Sequence, residues 1–202
     1  MKKILLVMAA MLCVATVSAQ HKWAAGLRVG SGLQAQGEYV YSDNCYVEAR
    51  FGMGWLSGVT ADFTALHNWN VCNWDWTPSV GKWYLDAGCG LNIGGGAKTL
   101  VNLYYENEYL TWTYGTNVYV GVAGQVKFGI QFKKVPIRLS VDYTPVLGFY
   151  AAYPNAAGKK EIKEWTEISQ SMGYAGTVKA KKNAGFYGAG LGNFGVSATW
   201  CF

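Results

Sequence analysis

Charge is scarce in this chain. Asp, Glu, Lys and Arg make up 14% of its 202 residues, where an ordinary soluble domain carries roughly a quarter. Proline is almost missing, at 4 residues, and histidine is limited to His21 and His67. The 26 glycines follow no three-residue period, which excludes collagen. Leu, Glu and Ala heptads are absent, which excludes a coiled coil. No CxxC pair occurs, which argues against zinc-ribbon and thioredoxin-type sites. Beyond residue 17 no apolar run approaches the 18 or so residues that a membrane-spanning helix needs. With 15% aromatics, including 9 Trp and 14 Tyr, the chain is not disordered. Yet mean hydropathy is only +0.06, so many rings must be placed without a large aliphatic core.

The first residues read as an export signal. Met1, Lys2 and Lys3 are followed by an unbroken apolar run over 4–17, and Val17-Ser18-Ala19 supplies small residues at the minus-three and minus-one positions. This pattern predicts a secretory signal peptide over 1–19, cleaved after Ala19. The run is short for a membrane anchor, and Leu12 before Cys13 does not suit a lipoprotein cysteine. Cleavage takes two lysines and lowers the formal charge of +5 by two. The mature domain, 20–202, keeps Cys45, Cys72, Cys89 and Cys201, and export permits disulfides.

What recurs along that domain is alternation at period two. Over 118–132 the even positions are Val118, Val120, Val122, Gly124, Val126, Phe128, Ile130 and Phe132, while the odd ones are small or polar. Residues 137–150, 45–56, 82–93 and 184–202 alternate in the same way, and weaker strands fit 22–32, 34–42 and 59–69. Eight antiparallel strands result. Tight turns fall at 42–44 and 133–136. Long connectors fall at 94–117 and 151–182, both at the same end, and a fairly long connector at 70–81 departs from this asymmetry.

The less apolar face carries Arg28, Glu38, Glu48, Arg50, Asp62, Asp86, Lys127, Arg138 and Asp142, with many glycines. A soluble barrel or sandwich would turn this face to water. An outer-membrane barrel turns it inward and shows lipid the apolar face. The signal peptide, the rim aromatics and the loop asymmetry favour the second arrangement. In lipid the sheet must close, and eight strands leave an interior just wide enough for side chains. The nine charged residues are therefore expected to pair in a plugged lumen. The fold expected is all-β: an eight-stranded up-and-down transmembrane β-barrel.

The chain resembles the small outer-membrane β-barrel proteins of Gram-negative bacteria, the OmpA/OmpX-like group. The resemblance rests on the closing Val196-Ser197-Ala198-Thr199-Trp200-Cys201-Phe202, on Leu139-Ser140-Val141-Asp142-Tyr143-Thr144-Pro145, and on residues 82–90. It covers essentially the whole mature domain. It implies an outer-membrane location with lipid and lipopolysaccharide as surroundings. It also implies that Trp200 and Phe202 act as a signal to the barrel-assembly machinery. Structural, adhesion or small-solute roles all fit the family.

Other patterns are weaker. Residues 190–195 match GxGxxG, but no helix can follow. Residues 94–99 depart from a phosphate loop at Asn92 and Ala97. His67, beside Trp69 near a strand end, suits an aromatic belt better than a catalytic site. No enzyme, cofactor, metal or nucleic-acid signature is found. Cys45 and Cys72, near one rim, could form a disulfide, and Cys89 should face lipid. The connector at 151–182 holds Lys159, Lys160 and Lys163 with Trp165, and Ile162, Trp165 and Ile168 recur at helical spacing. It could be a short surface helix over 159–171 or a solvated loop, and its lysines could meet lipopolysaccharide or a partner. The connector at 94–117 adds Tyr104, Tyr105 and Trp112, which suit contact with a ligand or protein. The reading is a structural or surface-interaction protein working through these two connectors. The alternative is a narrow channel for small solutes or apolar ligands.

Overall fold

The computed structural model describes residues 22–54, 60–106, 108–173, 176–181, 183–189 and 193–202. The expected signal peptide and the strand ends at 55, 56 and 59 lie outside them. Among the described residues the strands are β1 (Trp23–Val29), β2 (Gly32–Ser42), β3 (Cys45–Gly54), β4 (Thr60–Trp74), β5 (Gly81–Tyr105), β6 (Glu108–Phe132), β7 (Ile137–Tyr143), β8 (Val146–Pro154), β9 (Val178–Ala180), β10 (Asn183–Ala189) and β11 (Phe194–Cys201), with one helix, α1 (Ala156–Ser171).

Antiparallel pairing runs β1 to β2 to β3 to β4 to β5 to β6 without a crossover. The two remaining walls are each built from two pieces. β6 pairs through its second half with β7 and through its first half with β8. β11 pairs with β7 and β10 with β8. The seventh wall is interrupted at Thr144-Pro145, where proline has no N–H to give the ladder and Gly124 N donates to Pro145 O instead (2.9 Å). β11 then pairs with β1 from Ala24↔Cys201 to Val29↔Val196. This joins the last wall to the first and closes an eight-strand antiparallel barrel.

The faces follow the alternation. Leu27, Phe51, Leu91, Val120, Val122 and Phe149 point outward and are more than half exposed. Arg28, Glu38, Glu48, Arg50, Lys127 and Asp142 point inward and are 0–2% exposed. The barrel is apolar outside and polar inside. Cys89 is exposed and Cys201 buried.

Two connectors differ from expectation, and bulges explain both. A register shift between Asn70 and Cys72 lets β4 continue to Trp74, so only 75–80 joins β4 to β5. The turn end is therefore short throughout. A second shift between Ala97 and Thr99, and a third between Leu103 and Tyr104, carry the β5–β6 pairing up to Tyr105↔Glu108. Residues 94–117 are a hairpin, not a loop. Each bulge resets which parity faces inward, and that breaks the period-two pattern. The expected Cys45–Cys72 disulfide is not formed. Both thiols are free, because β3 sets Cys45 opposite Trp69 while the bulge carries Cys72 opposite Leu85.

Closure rests on the β1–β11 seam, where Leu27 stands opposite Ala198. With the four native cysteines replaced by serine, a Leu27→Cys/Ala198→Cys pair should oxidise to an intramolecular disulfide. The readout is a faster-migrating band on non-reducing electrophoresis. Two thiols that stay free in the folded protein would mean an open seam.

Candidate functional site

The interior is one ion-paired chain. Arg28 grips Asp142 with two nitrogens, Nη2 to Oδ1 at 2.8 Å and Nε to Oδ2 at 2.9 Å. Arg50 donates through Nε to Glu48, and through Nη1 to Asp142 (3.4 Å) and Thr144 Oγ1 (3.1 Å). Lys127 Nζ lies between Glu38 (3.0 Å) and Glu48. Arg138 Nη1 donates to Glu38 at 2.7 Å, and its guanidinium lies over the rings of Tyr46 and Tyr84, 5.9 and 5.5 Å from their centroids.

Seven of the nine anticipated lumen residues thus form one network, in which four cations share three carboxylates. Asp62 and Asp86 stand outside it. Asp62 accepts from Gln34 Nε2 (2.8 Å). Asp86 accepts from Tyr46 OH (2.9 Å) and Asn70 Nδ2 (2.8 Å).

The neutral polar members of this lining, Gln34, Tyr46, Asn68 and Thr144, were identifiable only by sharing the parity of the charged residues. Room for the long side chains comes from inward glycine. A Cβ on Gly195 would lie 2.5 Å from Arg28 Nε. Buried ion pairs add little net stability, because desolvation offsets the attraction, but stranding one charge of a pair costs about 3–5 kcal/mol.

The network divides the lumen. A cavity of about 420 Å³ opens at the turn end, with Lys82, Tyr84, Asp86 and Arg138 in its lining. A second, of about 320 Å³, opens at the hairpin end, with Arg28, Arg50 and Asp62 in its lining. Glu38, Glu48, Lys127 and Asp142 line neither of the two and stand between them. Among the described residues no group of His, Cys, Asp and Glu could hold a metal.

Above the barrel the β5–β6 hairpin carries α1. The helix begins three residues before the expected 159, because Asn155 caps it, its Oδ1 accepting from Gly158 N (2.9 Å). Gly158 sits against the hairpin, where a Cβ would meet Thr113 Oγ1 at 2.9 Å. Glu161 bonds the Thr113 hydroxyl, and Thr166 Oγ1 accepts from Val178 N (3.3 Å). Val101, Leu103 and Val178 are buried there.

The anticipated contact residues fall in three places. Tyr105 OH accepts from Gly176 N (3.0 Å), a supporting role, while Tyr104 lies under Lys181. Trp112 faces outward, away from α1, edge-on to Tyr114. Lys159, Lys160, Lys163 and Trp165 are exposed on α1. Lys160 pairs with Glu164 (3.6 Å) and Lys163 with Glu167 (3.7 Å). Its three lysines and three glutamates leave the helix without net charge.

Comparison with known proteins gives no likeness: no family model matches the chain, and no curated protein or solved structure matches it.

Lys127 is the ammonium that two buried carboxylates share. Lys127→Met removes one bond from each of Glu38 and Glu48 but leaves them Arg138 and Arg50, and should lower unfolding free energy in urea by about 1–3 kcal/mol. Adding Glu48→Gln should restore part of that loss, with a coupling of about 0.5–3 kcal/mol. A simple sum of the two single effects would contradict the network.

Proposed function

We propose that this chain is exported by its N-terminal signal peptide and inserted in the outer membrane of a Gram-negative bacterium. There it serves as a structural and surface-interaction protein. One observation carries the reading: the largest fully buried side chains are Arg28, Arg50 and Lys127, while Phe51, Leu91 and Phe149 are 61–67% exposed on the barrel wall. In water such a wall would forgo about 25 cal/mol for each Å² of apolar surface left uncovered. Acyl chains cover it without that loss.

The rims support the same placement. Trp74, Trp76, Trp83 and Phe128 pack together at the turn end, and Trp112, Tyr114 and Tyr153 are exposed towards the hairpin end. Aromatic girdles belong at the two membrane interfaces. The barrel then meets acyl chains along its wall and lipopolysaccharide at its hairpin end. Trp200 and Phe202 supply the contact with the barrel-assembly machinery. Tyr104, Trp112, Trp165 and the α1 lysines face the exterior, where a ligand or protein partner would be met. The paired network between the two cavities argues against a channel.

Trypsin added to intact cells should cut within 159–181 and leave Lys133-Lys134 untouched, as mapped by mass spectrometry, and the mature N-terminus should be Gln20. Cleavage at Lys133-Lys134 alone would reverse the orientation. In planar bilayers the purified barrel should show no porin-like conductance, and a steady large conductance would favour the channel reading.

A further inference from the structure

The cavity at the hairpin end has a chemistry that the surface role does not use. Its floor is cationic. Every nitrogen of Arg28 has a partner, among Asp142, Gln34 Oε1 and Asn193 O. Arg50 differs: its Nε and Nη1 are engaged, but its buried Nη2 has no protein partner. Of the four cations only Arg28 and Arg50 line this cavity; they are paired with Asp142 and Glu48, and the Nη2 donors of Arg50 are what the floor leaves over. Its wall is anionic. Asp62 forms no ion pair among the described residues, and its hydrogen bonds come from neutral amides, Gln34 to Oδ2 and Asn92.

The two groups lie on neighbouring strands. Asp62 stands opposite Gly52, and Arg50 is two residues deeper. Such diagonal positions are about 7–8 Å apart. A lone anion would be drawn to the floor and repelled by Asp62. A lone cation would meet the reverse. A molecule carrying both charges satisfies both. The remaining lining includes Val146 and Tyr150, an apolar side for a short aliphatic group. The volume of about 320 Å³ admits a small molecule and a few waters, whose share of liquid is about 30 Å³ each.

We propose that this cavity is a binding site for a small zwitterion of the α-amino acid class, with its carboxylate towards Arg50 and its ammonium towards Asp62. The proposal requires the closed barrel and is independent of what the hairpin and helix contact.

The test is calorimetric titration of the full mature chain, folded in detergent, with L-alanine, acetate and methylammonium as separate probes. L-Alanine should bind about tenfold or more tightly than either fragment, a difference of about 1.4 kcal/mol. Asp62→Asn, a near-isosteric change at a residue without an ion pair, should weaken L-alanine about tenfold. Asp86→Asn, in the other cavity, should leave it unchanged. Acetate binding as well as L-alanine would make this an anion site, and equal binding by methylammonium a cation site. Either result overturns the proposal, as does the absence of a signal from L-alanine at tens of millimolar. The three probes on the unaltered chain decide the matter even if Asp62→Asn does not fold.

Discussion

Everything in this molecule follows from the seam between β1 and β11. Once the last strand is bonded to the first, the barrel wall has no open edge, and the circumference is fixed at eight strands. That circumference fixes the bore, which admits side chains and little else. Whatever the inward positions carry must then pack against and satisfy whatever lies across the bore. Arg28 reaches Asp142 across 114 residues of sequence and Lys127 reaches Glu38 across 89. These partners are distant in the chain and neighbours only because the sheet is closed.

The same closure explains the distribution of glycine and charge. A charged side chain in a narrow bore needs both a counter-charge and space. The counter-charges come in an interleaved order, Asp142 between two arginines and Glu48 between Arg50 and Lys127. The space comes from positions such as Gly195, which gives its volume to the Arg28 guanidinium. The scarcity of charge in the composition is thus a matter of capacity. One bore of this width holds one such chain of ions, and the outer face takes almost none.

How much of this the sequence discloses depends on where period two survives. Along 118–132 and 137–143 the parity is uninterrupted, and it states which side chains face in, including Lys127 and Asp142. Closure into eight walls follows from the count of such stretches. The bulges at Ala97/Thr99 and Asn70/Cys72 erase the pattern locally, so a twenty-five-residue strand reads as a shorter one followed by a loop. The α1 boundary depends on Asn155, whose capping role shows only when Gly158 is seen against Thr113. The pairing scheme is the least visible part. Parity places nine charges in one bore but cannot say that Asp62 and Asp86 are the two left outside the ion pairs. That is decided by height along the wall, which only the register supplies.

The two staves β5 and β6 are each 25 residues long, or about 80 Å at the usual rise of a strand, and they stay bonded to one another almost from end to end. The seventh and eighth walls are broken midway, but these two are not. They carry Asp86 and Lys127 within the bore and Tyr104 and Trp112 at the far end. Mechanically this pair is a single stiff lever rooted in the plug. A load applied at the exposed tip passes down this hydrogen-bonded ladder, across its two bulges, to the ions in the lumen.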